Sequence, residues 1–83
     1  MKWYRMHDDS QRQVVYIFGM SDDAAFEKFM RHMESGTRKV PSSFRVLDAR
    51  ESGCLEIYFK GKGLDVKYIK EHGIEFAEES APV

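Results

Sequence analysis

The chain has 83 residues, with a single cysteine, two prolines and no long apolar run. Because Cys54 has no second cysteine to pair with, an internal disulfide is excluded, and this favours a reducing compartment. No apolar segment approaches the roughly 20 residues that span a bilayer. Residues 1–9 also lack the apolar centre of a secretory signal. We therefore expect a cytoplasmic protein with no membrane segment.

The sequence also has few signs of metal or catalytic chemistry. The three histidines are scattered, and two of them, His32 and His72, fall in the last turns of expected helices, where the helix dipole favours cations. A zinc site needs about four ligands at recognisable spacing. The adjacent carboxylates at 8–9 and 22–23 do not face each other as an acid–base pair would. The sequence therefore predicts no metal, no cofactor and no enzymatic activity.

Charge is nearly balanced, with a net value of −1, so the whole chain offers no strong attraction for nucleic acid. The distribution is less even. Residues 37–70 contain eight basic and four acidic residues, whereas residues 71–83 contain four acidic residues and no lysine or arginine. Within the basic stretch, the candidate contacts for an anion or a nucleic acid are Arg38, Lys39, Lys60 and Lys62.

Apolar spacing predicts the secondary structure. Alternating residues predict a strand over 2–7, and the run Val14–Phe18 predicts a second strand over 13–18. Ser21 is typical of an N-cap, and a helix over 22–34 follows, with one apolar stripe made of Phe26, Phe29, Met30 and Met33. Further elements are expected to be strands over 44–49 and 54–60 joined by a hairpin turn at 50–53, a helix over 65–72, a short strand over 74–76 and a disordered acidic tail over 78–83.

Residues 13–77 then have the order βαββαβ of a ferredoxin-like fold. We expect one α+β domain over residues 1–77, built as a two-layer sandwich in which an antiparallel sheet of four to five strands has two helices on one face. An extra N-terminal strand precedes the ferredoxin-like core. One alternative stays open, because the strands at 2–7 and 74–76 compete for the same edge. If residues 2–7 occupy that edge, the order becomes ββαββα.

The segment 15–20 resembles the first sheet motif of the RNA-recognition-motif family. That family shares the βαββαβ order and stacks bases on aromatic side chains of its two central strands. The resemblance implies that Tyr16 is a stacking residue. The second motif would lie within 52–59, where Cys54 and Glu56 occupy positions that need outward aromatic residues.

One face of the expected sheet has no helix over it, and its side chains define the candidate site. Uncovered aromatic patches mark interaction surfaces, and aromatic residues anchor protein interfaces. We therefore expect a small non-enzymatic protein-binding module, acting as a dimer or as an inhibitor or adaptor of a larger protein or nucleoprotein assembly. An anti-defence protein encoded by a mobile element or a phage is one form that such a module can take. The alternative is an RNA or single-stranded DNA-binding domain that uses the same face and the basic residues of 38–70. The candidate partner-binding residues are Trp3, Tyr16, Phe18, Glu56 and Tyr58.

Overall fold

A computed structural model describes residues 1–8, 12–32 and 41–82. Four strands form one antiparallel sheet: β1 (Lys2–Asp8), β2 (Gln13–Gly19), β3 (Ser43–Val46) and β4 (Ile74–Ala77). The described α-helices are α1 (Asp22–His32), α2 (Ala49–Gly61) and α3 (Val66–His72), and a short 3-10 helix covers Glu78–Ser80. The predicted class, an α+β fold with an antiparallel sheet of four to five strands, is confirmed, and the sheet has four strands.

The strands follow the order β3-β1-β2-β4 across the sheet. β1 and β2 form the centre, with Trp3 opposite Phe18 and His7 opposite Val14. β1 and β4 pair with opposite sides of β2, so the two segments expected to compete for one edge both join the sheet. The element order along the described residues is ββαβααβ, which differs from both predicted orders.

The main departure from the predicted elements is α2. Residues 49–61 form a helix, so the predicted strand over 54–60 and the predicted hairpin turn at 50–53 are wrong. A capping box starts this helix. The Asp48 carboxylate accepts a hydrogen bond from the Glu51 N–H at 2.8 Å, and the Glu51 carboxylate accepts one from the Asp48 N–H at 3.1 Å. These bonds satisfy backbone donors that a helix N-terminus leaves unpaired.

The burial of α2 residues follows the helical period. Leu55 and Phe59, four residues apart, are both fully buried, whereas Ile57 is 71% exposed. In a strand all three side chains would share one face. The exposure of Ile57 is therefore the direct consequence of helix formation.

Two apolar cores lie on opposite faces of the sheet, because successive strand residues point to opposite sides. The helices predicted to share one face, at 22–34 and 65–72, belong to different cores, and the face predicted to be open is covered by α2 and α3. The first core joins Tyr4, Met6, Val15 and Ile17 to Ala25 and Phe29 of α1. The second joins Trp3, Val14, Tyr16 and Leu47 to Leu55 and Phe59 of α2 and Ile69 of α3.

The start of α1 agrees with its predicted cap. The Ser21 hydroxyl accepts a hydrogen bond from the Ala24 N–H at 3.2 Å. Gly19, at the end of β2, allows α1 to pack closely, since a Cβ there would lie 3.1 Å from the Ala25 backbone. The predicted continuation of this helix through residues 33–34 lies outside the described residues.

Candidate functional site

The five residues predicted to bind a partner do lie together, but between the sheet and α2. Trp3 and Tyr16 are 1% and 0% exposed, and Phe18 and Tyr58 are partly buried against the same core. The indole N–H of Trp3 donates a hydrogen bond to the Glu56 carboxylate at 2.8 Å. These aromatic residues hold α2 on the sheet, so they do not form an open binding surface.

Glu56 also connects α2 to α3. The Lys70 ammonium lies 3.6 Å from the Glu56 carboxylate and 4.7 Å from the centroid of the Phe18 ring. The Glu56 carboxylate thus accepts a hydrogen bond from the Trp3 indole and forms an ion pair with the Lys70 ammonium. Its position beside aromatic residues has a structural explanation that requires no ligand.

The predicted basic contacts fall into two groups. Arg38 and Lys39 lie outside the described residues. Lys60 and Lys62 are exposed at the C-terminal end of α2, and the Lys62 ammonium lies 5.6 Å from the centroid of the Tyr58 ring. The structure therefore places two of the four predicted cations at one end of α2.

The side of α2 that points away from the sheet forms the strongest candidate surface. A helix advances by about 100° per residue, so this side lies opposite the buried Leu55 and Phe59. All of its residues are exposed. We call it the α2 outer face, and it consists of Arg50, Gly53, Cys54, Ile57, Lys60 and Gly61.

Gly53 and Gly61 leave bare backbone on this face. A Cβ built at either position would meet no atom within 4 Å, so packing within the described residues does not require glycine there. Glycine inside a helix costs about 0.5–1 kcal/mol relative to alanine. Ile57 stands between the two glycines, one turn from each. The centre of the α2 outer face therefore combines one large apolar side chain with two places where another polypeptide can approach closely.

The charges around this face are basic. Arg50 and Lys60 form no ion pair within residues 1–8, 12–32 and 41–82. The α2 outer face itself carries no acidic residue. The two acidic side chains within α2 bind groups that lie outside this face: Glu51 binds the Arg45 guanidinium, and Glu56 binds the Trp3 indole and the Lys70 ammonium. The surface is therefore positively charged around an apolar centre.

The Glu51 carboxylate is held by two hydrogen bonds from Arg45. The Arg45 guanidinium donates to both oxygens of the Glu51 carboxylate, at 3.1 and 2.8 Å. This paired hydrogen bond, with a smaller contribution from the Asp48 N–H, lowers the pKa of Glu51 to about 2. Glu51 thus stays ionised and bound to Arg45, which ties β3 to the start of α2.

Comparison with protein-family models, with curated proteins and with solved structures finds no match. In the part of the chain that the structure describes, no three His, Cys, Asp or Glu side chains are grouped to hold a metal ion. Among the same residues, no helix has the length and apolar character needed to cross a membrane. We therefore identify the α2 outer face as the candidate site from the exposure, shape and charge of its residues.

Proposed function

We propose that this chain is a small non-enzymatic protein-binding module that contacts an acidic protein partner through the α2 outer face. The supporting observation is the 71% exposure of Ile57 between two glycines on a helix face with basic and no acidic residues. A single exposed apolar residue is ordinary on a monomer. A solvent-facing helix surface, however, usually carries polar and charged side chains, whereas four of the six residues here are Gly, Cys, Ile and Gly.

Charge favours an acidic partner over a second copy of this chain. Pairing two α2 outer faces would bring Arg50 and Lys60 of one copy near the same residues of the other, without an acidic residue on either face to compensate them. Like charges at an interface oppose association, and opposite charges accelerate encounter and select the partner. Action as an inhibitor or adaptor stays a prediction, because it depends on what the partner does.

Nucleic acid is the competing occupant. Arg50, Lys60 and Lys62 could contact phosphates, but single-stranded nucleic acid also needs exposed aromatic residues on which bases stack. The sheet aromatics that would serve, Trp3 and Tyr16, are buried. The exposed centre at Ile57 suits a protein surface better, because burying an aliphatic side chain against apolar atoms is favourable.

The chain contains one cysteine, so a photo-crosslinker attached to Cys54 reports on the α2 outer face alone. We expect Cys54-labelled protein to form a specific crosslink with a protein in an extract of the source cells. An excess of unlabelled protein should abolish the crosslink, and nuclease treatment should not. The control is Cys54→Ser combined with Glu27→Cys, which moves the label to an exposed site on α1, across the sheet.

Variants connect the crosslink to the proposed surface. An excess of unlabelled Ile57→Glu, or of Arg50→Glu combined with Lys60→Glu, should compete poorly. Met20→Glu alters an apolar residue outside α2 that is 77% exposed, and it should compete like the unmodified chain. Equal competition by the Ile57 variant, an identical crosslink from position 27, or loss of the crosslink after nuclease treatment would each reject a protein site on the α2 outer face. A crosslink to a second copy of the chain would reject the acidic partner.

A further inference from the structure

A cleft separate from the α2 outer face lies between the C-terminal half of α1 and the junction of α3 with β4. Its volume is about 570 Å³, within the roughly 300–1,000 Å³ that small-molecule sites occupy. One wall is basic, with Lys28 and Arg31 from α1, and the other is acidic, with Glu71 and Glu75. The cleft is therefore lined by positive groups from α1 and by negative groups from the junction of α3 with β4.

The basic wall has one fixed and one accessible cation. The Lys28 ammonium donates to the Phe18 carbonyl at 2.6 Å and to the Lys70 carbonyl at 3.1 Å. Arg31 extends into solvent, with its side chain 71% exposed and its only described ion pair a distant one of 3.8 Å to Glu27. Arg31 is thus the cation that an incoming anionic group can reach.

Where α1 approaches β4, His32 of α1 and Glu75 of β4 form a pair of hydrogen-bond acceptors. His32 Nδ1 lies 3.0 Å from the His72 carbonyl oxygen, and because a carbonyl only accepts, the proton must be on Nδ1. When the ring is neutral, Nε2 is therefore an acceptor, and it lies 3.7 Å from a Glu75 carboxylate oxygen. Neither Nε2 of the neutral ring nor the carboxylate oxygen carries a hydrogen, so these two atoms cannot form a hydrogen bond with each other. A donor with several N–H bonds, such as an ammonium group, can bind both.

An aromatic surface borders the same cleft. The Tyr68 ring stacks on the His72 ring with 4.1 Å between centroids, and Tyr68 remains 57% exposed. The His72 ring is held in place by a hydrogen bond between Nδ1 and the Tyr68 carbonyl at 3.1 Å. The outer surface of this stacked pair can receive a planar or apolar group.

We propose that the cleft binds a small zwitterion of the α-amino acid class with an aromatic side chain. The ammonium lies between His32 Nε2 and the Glu75 carboxylate, the carboxylate meets Arg31, and the side chain packs on Tyr68. A ligand with only one charge would leave one wall uncompensated. This site is independent of the proposed function of the α2 outer face.

Three probes with the same aromatic ring test the charge requirement. L-Phenylalanine carries both charges, phenethylamine carries only the ammonium and 3-phenylpropionate carries only the carboxylate. The shifts of the His32 and His72 ring C–H signals in NMR spectra report binding to the cleft. L-Phenylalanine should shift both signals and bind about tenfold tighter than either analogue, since hydrogen bonds to charged groups are the strong ones.

Substitutions locate the site. Glu75→Gln and Arg31→Gln should each weaken L-phenylalanine binding about tenfold, and Glu79→Gln, which alters an acid on the 3-10 helix, should leave it unchanged. Equal affinity for either singly charged analogue would overturn the zwitterion requirement. The absence of signal shifts at about 10 mM L-phenylalanine, a concentration that detects even millimolar affinity, would overturn the site. None of these outcomes affects the crosslinking test at Cys54.

Discussion

Replacing Phe59 by alanine tests whether residues 49–61 form a helix with only one buried side. Phe59 is fully buried. Its ring meets the edge of Trp3 with 5.7 Å between centroids and lies parallel to Phe76 at 6.2 Å. Truncation to alanine therefore removes contacts to the sheet and leaves a cavity between α2, β1 and β4.

The expected cost of Phe59→Ala is about 3–5 kcal/mol, the range for deleting a buried aromatic side chain. At roughly 0.05–0.15 kcal/mol per residue, a domain of this length has a total stability of about 4–12 kcal/mol, so the substitution removes a large part of it. Ile57→Ala, only two residues away, should change stability by about 0.5 kcal/mol or less, because an exposed side chain loses little packing. The contrast between the two variants is the prediction.

Urea unfolding followed by circular dichroism measures both variants on the same scale. If Phe59→Ala is too unstable to analyse, Phe59→Leu provides a milder change of about 1–1.5 kcal/mol. The reasoning is refuted if Ile57→Ala costs as much as Phe59→Ala. That result would mean that residues 54–60 form a strand with Ile57 in the core, and the α2 outer face would not exist.

Three further predictions concern single residues. Gly53→Ala should stabilise the protein by about 0.5–1 kcal/mol, since the added methyl meets no atom, yet weaken crosslinking from Cys54 by blocking close approach; a stabilised variant with undiminished crosslinking would contradict this. Gly73→Ala should lower the melting temperature, because φ is +84° and its Cβ would lie 2.6 Å from an Ile17 methyl; an unchanged value would be inconsistent with this turn. Pairing with Arg45 lowers the pKa of Glu51 from 4.5 to about 2, so the stability that ionised Glu51 contributes is present above pH 4.5 and declines toward pH 2. Glu51→Gln should therefore reduce the loss of melting temperature between pH 4.5 and pH 2. An unaltered pH profile would refute the Arg45 pairing.

Strong local signals made much of the fold predictable. The strands near 2–7, 13–18 and 74–76 and the helices starting near 22 and 65 all occur where apolar period, caps and glycine predicted them. These signals act over a few residues, so they do not depend on which other elements pack nearby. The antiparallel α+β class followed from them.

The helix α2 was missed because its apolar spacing fits two periods. Leu55, Ile57 and Phe59 alternate as in a strand, whereas Leu55 and Phe59 alone are one helical turn apart. The capping box between Asp48 and Glu51 was the local signal that favoured a helix. With that helix recognised, Ile57 would have been placed on the exposed side.

The residues of the predicted site do lie together, but the prediction that they are exposed to solvent is wrong for Trp3 and Tyr16, which are buried. Trp3, Tyr16 and Phe18 alternate onto one sheet face, as expected from strand geometry. Whether that face is open depends on a distant segment, α2, and no local pattern in β1 or β2 reports its presence. The α2 outer face could be identified only once the partner of those aromatic residues was known.

The most direct test of the proposed interface is the rate at which Cys54 reacts with a maleimide. This rate is measured on the unlabelled chain, first alone and then in a non-covalent complex with the partner that crosslinking identifies. Cys54 is exposed in the free chain, so its thiol should react readily there. In the complex the rate should fall about tenfold or more, because partner contacts exclude solvent from an interface centre, while the cysteine of the Cys54→Ser, Glu27→Cys control should react equally fast in both states. An unchanged Cys54 rate in the complex would contradict a partner seated on the α2 outer face.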